Sequence, residues 1–206
     1  MTVSKAAKPA TSEARRSSIL DAATPVFVRF GFKKASMDEA ARAAGISRQA
    51  LYSHFVSKEA LFKEVVLRIL AAQSTAANAA LHRAHAPIEE RLLDTFEAMH
   101  AHTIGQIGAE QMSELRDTAA SLVGPVFQQL EERLVRDVAA ALATSGAAAA
   151  WDRARVSAVE LADNLYSTSS GLKHRASTLA DYRSAMRIAI RIMCSGGARP
   201  SQEKRR

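Results

Sequence analysis

The stretch that most constrains this chain is Ser36–Phe62, SMDEAARAAGISRQALYSHFVSKEALF. Ser36 and Glu39 form a capping box, in which the serine hydroxyl accepts from the Glu39 amide while the Glu39 carboxylate reaches back. Ala40, Ala41 and Ala44 are small enough for the next helix to approach closely. Gly45 falls four residues after Ala41, and without a Cβ it can take the positive φ that a sharp inter-helix turn requires. Ile46 is expected to plug the core, and Ser47 to cap a third helix. Two short helices about a glycine turn, with another helix starting at Ser57, have the pattern of a helix-turn-helix.

On a helical wheel of about 100° per residue, Leu51 and Phe55 fall together and face inward. The opposite face carries Gln49 and Ser53, flanked by Tyr52 and Ala50, with Arg48 at the helix start. These side chains suit a DNA major groove. Arg can pair with guanine and Gln with adenine, while Ala or the serine methylene can meet a thymine methyl. Tyr52, His54 and Lys58 stand at the edges, where a phosphate backbone would pass. Gln, Ser and Arg are common on any exposed helix, so the face gains its meaning from the glycine turn and the caps around it.

Charge points the same way. Residues 1–60 hold ten Lys/Arg against five Asp/Glu, so +5 of the overall +7 lies in the first third of the 206-residue chain. A localised basic excess favours a polyanionic partner, with a solvated basic surface as the plainer alternative.

The rest of the chain reads as helix, rich in Ala and Leu with few β-branched or aromatic residues. Ile19, Ala23, Val26, Phe27 and Phe30 make one stripe of a first helix from Ser12 that crosses Pro25 and ends at Gly31. A long helix follows from Ser57 to about His82. Pro87 restarts the chain into a helix to about His102. Helices are expected over 111–123 and, with Pro125 in its first turn, to Gly146. Residues 144–151 read as a low-complexity loop, Trp151 or Asp152 as the start of the next helix, and 179–193 as the last.

The sequence ILDAATPVFVRFGFKKASMDEAARAAGISRQALYSHFVSKEALFKEVV resembles the N-terminal domain of the TetR family of transcriptional regulators. Phe30-Gly31-Phe32, ASMDEAARAAGIS and LYSHFVSKEALF carry the likeness, over roughly residues 15–66. The resemblance implies an all-α homodimer on a palindromic DNA operator, usually a repressor released by a small-molecule effector. By position it implies base-facing roles for Arg48, Gln49 and Ala50, and phosphate contacts from Ser36, Tyr52, His54 and Lys58. Pro25 is unusual within the family's first helix, and Ala40 stands where Ile or Val is commoner.

The expected organisation is a basic tail (1–11), a helix-turn-helix domain (12–62), a helical ligand-binding and dimerisation domain (63–195) and a second basic tail (196–206). The last two helices are the dimerisation candidates, through Val159, Ala162 and Tyr166 with Met186, Ala189, Ile190 and Met193. The competing reading is that these stripes pack within one subunit. Phe96, Met99, His100, Met112, Arg116, Phe127 and Tyr166 are candidates to line an effector pocket, but core packing is the favoured reading of each, and no ligand residue is assigned.

No catalytic or cofactor motif supports an enzyme. A single cysteine, Cys194, rules out an internal disulfide and a Cys-based metal cage. His82 and His85 lack a third ligand with suitable spacing, and His100 and His102, two apart, fall on different helix faces. With no signal peptide and no apolar run long enough to span a bilayer, a cytoplasmic protein is expected. An architectural, weakly specific DNA-binding protein without an effector is the alternative function.

Overall fold

The computed structural model describes residues 12–100, 104 and 109–196, with backbone alone at 109–112. Every regular element among them is helical. In chain order they are α1 (Ser12–Lys34), α2 (Met37–Ala43), α3 (Arg48–His54), α4 (Lys58–Leu81), α5 (Ile88–His100) and α6 (Ala109–Thr144). A 3₁₀ helix (Ala147–Ala154) leads to α7 (Ala158–Arg175) and α8 (Leu179–Cys194). No described helix is long and apolar enough to cross a membrane.

The described chain clusters into two compact units. The first contains residues 12–69 and 109–124, so the start of α6 joins the helix-turn-helix head. The second contains 70–100, 104 and 125–196. The expectations for 1–11 and 197–206 lie outside the described residues.

In the first unit Ile19, Ala23, Phe27, Leu51, Phe55, Leu61, Phe62 and Val65 are all buried. The Phe27 and Phe62 rings meet edge-on with centroids 5.0 Å apart, and Phe32 tilts against Phe62 at 5.1 Å, spacings at which aromatic quadrupoles attract. Leu51 and Phe55 face inward as the wheel requires, whereas Ile46 is only half-buried. Position 46 emerges from the turn rather than from a helix face, and so reaches less of the core.

Two prolines lie inside helices, with different outcomes. Pro25 leaves α1 helical, and the chain breaks only at Gly31 (φ 75°, ψ 169°). Next to Pro125, Val123 leaves helical geometry (φ −136°, ψ 22°), so α6 is two helices joined at a kink, as the two separate stripes suggest. Two features favour glycine at position 31, the backbone more than the space around it. Its φ is positive, and a Cβ there would come 3.3 Å from the Glu114 carboxylate, which accepts from the Lys33 amide at 2.7 Å.

The second unit is a packed helical core centred on Phe96, Leu142, Leu165, Tyr182, Met186 and Ile190. Residues 147–154 form a 3₁₀ helix instead of a loop, ended by Arg155 in the left-handed region (φ 56°). The helix expected from Trp151 or Asp152 begins at Ala158, because Ser157 and Glu160 form a capping box there. Trp151 has another role: its indole donates to the Met193 carbonyl at 2.7 Å. Of the stripes read as dimer-forming, Ala162, Met186, Ile190 and Met193 belong to this unit's own core, Tyr166 and Ala189 are half-buried and Val159 is exposed; Ile188 and Ile192, outside those stripes, are also exposed.

Candidate nucleic-acid interface

The head fixes α3 at both ends. On its entry side, α2 starts at the Ser36–Glu39 capping box: the Ser36 hydroxyl accepts from the Glu39 amide at 3.2 Å, and the Glu39 carboxylate accepts from the Ser36 amide at 2.9 Å. The turn after α2 is a Schellman motif. The Ile46 amide donates to the Ala41 carbonyl at 3.0 Å, the Gly45 amide donates to that of Arg42 at 3.2 Å, and Gly45 has φ 64°. Ser47 then caps α3, its hydroxyl accepting from the Ala50 amide at 3.1 Å. Seven-residue helices are too short to persist alone in water, so these caps and the buried Leu51 side determine the aim of α3.

At its exit α3 is tied down by Arg16, which sequence reading missed. The Arg16 guanidinium donates to the His54 carbonyl at 2.6 Å, lies 4.2 Å from the Phe55 ring centroid and pairs with Glu64 of α4 through Nε and Nη2. One side chain of α1 thus holds the last turn of α3 against α4. Nothing local in the sequence marks this contact, because Arg16 lies 38 residues from His54 and 48 from Glu64.

The outward face of α3 is polar. Arg48, Gln49, Tyr52 and Ser53 are exposed, and Ala50 is half-buried. The Ser53 hydroxyl donates to the Ala50 carbonyl at 2.7 Å. Arg48 donates to Asp38 of α2 at 3.0 Å, and its Cζ lies 5.5 Å from the Tyr52 ring centroid. Tyr52 and Asp38 together raise the Arg48 pKa above its already high ordinary value, so it is a fixed positive charge.

The four residues expected at phosphates differ in how committed they already are. Tyr52 is exposed and His54 half-buried. The Ser36 hydroxyl is engaged with Glu39, donating to its carboxylate at 2.8 Å. The Lys58 ammonium donates to the carbonyls of Phe32, Ala35 and Lys33 at 2.9, 3.1 and 3.4 Å, and lies 4.5 Å from the Phe32 ring centroid. It closes the chain between α1 and α2, satisfying carbonyls that the break at Gly31 leaves without helical partners.

In the second unit, His100 is buried with its ring edge-on to Tyr182 at 5.8 Å, and the Tyr182 hydroxyl shares a 2.7 Å hydrogen bond with Ser169. Burial above all, helped by the positive charges of Lys173 and His174, brings the His100 pKa down to about 3. Met99 lines a narrow cleft with Asn78, Leu81 and Leu134 that has a volume of about 20 Å³, room for little more than a water molecule. Phe96 is fully buried, and Phe127 and Tyr166 are half-buried, whereas Arg116 belongs to the first unit and is exposed. The side chain of Met112 lies outside the described residues.

Residues 19–65 match the family described as bacterial regulatory proteins, tetR family. The chain is 27% identical to the uncharacterized transcriptional regulator YhgD of Bacillus subtilis over 59% of its length, which is 63% of that protein. It is 48% identical to the transcriptional activator FasR of Mycolicibacterium smegmatis over 26% of its length, 25% of that protein. The chain thus spans less than two thirds of either curated relative. A transcriptional regulator of Saccharomonospora viridis, solved in complex with choline, has the same fold: 21% identity, TM-score 0.66, covering 88% of this chain and 97% of that one. Residues 19–65 thus carry a helix-turn-helix head of the tetR family of bacterial regulatory proteins, on an all-helical fold shared along most of the chain with solved transcriptional regulators.

Proposed function

We propose that the chain works as a homodimer that binds a palindromic double-stranded DNA operator and is released from it by a small-molecule effector, acting as a repressor. The observation that carries this reading is α3, whose buried Leu51 side is fixed by caps while Arg48, Gln49 and the edge of Ala50 face outward. In that reading these three read base edges, with Ser36, Tyr52, His54 and Lys58 on the flanking phosphates. Lys58 reaches a phosphate by exchanging its longest carbonyl contact, that to Lys33, for the phosphate oxygen.

The dimer would form through the outward faces of α7 and α8, where Val159, Ile188 and Ile192 leave apolar surface exposed. Two-fold symmetry then places the two α3 helices about 34–36 Å apart, one turn of DNA. The effector reading draws on the choline-bound structural relative. It places the effector in the second unit and has it act through α4, which runs from the head into that unit.

Selection of bound sequences from a random pool of duplex DNA tests the reading. A palindrome with half-sites one helical turn apart is the expected outcome. Binding without sequence preference, with a steep salt dependence, would instead mark an architectural DNA-binding protein. For the switch, distances between labels on the two heads are expected to change when effector is added, and unchanged distances with an effector that releases DNA would overturn it.

A further inference from the structure

Asp38 is an acid on a face otherwise suited to a polyanion. It sits in the first turn of α2, its backbone fixed by the Ser36–Glu39 box, and its carboxylate accepts from Arg48 Nη1 at 3.0 Å. In the free protein both side chains are largely exposed, at 60% for Arg48 and 52% for Asp38, and a pair so exposed contributes little to stability. Its effect lies elsewhere. A guanidinium has five N–H donors in a rigid fork. Asp38 engages one edge of the fork, and the Tyr52 ring lies alongside at 5.5 Å. The remaining donors point in a restricted direction, whereas an untethered arginine would swing to the nearest phosphate.

Resting on the DNA-reading assignment of Arg48, we propose that Asp38 is a specificity-determining residue: it holds the Arg48 guanidinium for one base edge and, by its own charge, weakens binding to any DNA that does not offer that base. When a duplex displaces water from around the pair, the effective dielectric constant falls and the Asp38–Arg48 attraction grows. On the matching sequence Arg48 keeps Asp38 on one edge and the base on the other. On a mismatched sequence Arg48 cannot turn to a phosphate without leaving the carboxylate unpaired beside the DNA backbone.

The test compares wild type, Asp38→Asn, Asp38→Glu and Arg48→Ala on the operator selected from a random pool and on a scrambled duplex of equal length. A thermal melt of each variant confirms that the head is folded. Asp38→Asn is expected to tighten binding to the scrambled duplex several-fold more than to the operator. It should also relax base preference at the position where Arg48→Ala relaxes it, and steepen the salt dependence on scrambled DNA by about one phosphate contact. Asp38→Glu keeps the charge but moves the carboxylate, and should relax the same position with little change on scrambled DNA. If both Asp38 variants shift operator and scrambled binding equally, the carboxylate acts only as a charge and the proposal fails, while the DNA-reading assignment stands. Should Arg48→Ala leave every base preference intact, Arg48 is no base reader, and both fail.

Discussion

Both units cap helix ends with polar side chains, but among the described residues only the second also buries polar side chains in its core. In the head they sit at helix ends and hold the backbone: Ser36 with Glu39, Ser47 on the Ala50 amide, Lys58 on three carbonyls, Arg16 on the His54 carbonyl. In the second unit Thr95, His100 and Ser169 lie within the core. Thr95 donates back to the Arg91 carbonyl at 2.6 Å and Ser169 is bonded to Tyr182. The head spends its polar groups on aiming two seven-residue helices and leaves the outer side of α3 for a partner. The second unit encloses polar groups in an apolar surround, where they are sensitive to protonation and to loss of a neighbour.

Damage to the apolar base of α3 should be the most severe. Phe55 is 1% exposed, lies under Arg16 and ends the recognition helix. Phe55→Ala is expected to cost about 3–5 kcal/mol in chemical denaturation and to abolish operator binding.

Acid should find the second unit first. A histidine whose folded pKa is depressed to about 3 is neutral in the core, while the unfolded chain takes up its proton near the ordinary value of 6.5. Between those pH values the unfolded state binds more protons, so stability is full above 6.5 and is lost as pH falls toward 3. At pH 5 the loss from His100 should be about 2 kcal/mol relative to pH 7. Urea titrations at the two pH values should show that difference in the wild type and much less of it in His100→Gln.

The same contrast explains what could be read from the sequence. Caps and the glycine turn are short-range: Ser36 meets Glu39, Ser47 meets Ala50, and the Gly45 turn closes on Ala41 and Arg42, all within a few residues. The start and aim of α3 were therefore legible, as was the stripe that buries Leu51 and Phe55. Contacts between distant residues carry no such mark. Arg16 beneath α3, Asp38 beside Arg48 and the Glu114 carboxylate over Gly31 depend on how helices pack. In the second unit, Ala, Leu and Met stripes showed which residues pack but not against what. Met186 and Ile190 could face a partner or their own core, and they face their own core. The Ser157 capping box was legible in principle, but the alanines before Trp151 hid it behind an earlier helix start.

Arg16→Ala tests the long-range tie directly. The guanidinium and the Glu64 carboxylate are each about a third exposed, at 37% and 34%, so solvent screens the pair and the full worth of a buried one does not apply. The bond to the His54 carbonyl and the contact with Phe55 remain, and together they support an expected loss of about 1–2 kcal/mol. Glu64→Gln should cost less than half of that. If the two substitutions cost the same in thermal or urea melts, the tie consists of the ion pair alone and the hold on α3 is illusory.

The smallest expected effects sharpen the comparison most, because two changes of similar cost should differ in consequence. Ser47→Ala removes the acceptor for the Ala50 amide at the start of α3, and a lost N-cap costs about 1 kcal/mol. Tyr182→Phe removes the hydroxyl bonded to Ser169 in a fully buried site and should also cost about 1 kcal/mol. Melts alone would not tell the two apart. Operator binding should: Ser47→Ala loosens the first turn that presents Arg48 and Gln49, and is expected to weaken affinity several-fold, while Tyr182→Phe leaves affinity for DNA without effector near the wild-type value. Equal weakening by both would mean that the aim of α3 is set by global stability and not by its caps. The division of labour between the two units would then fall.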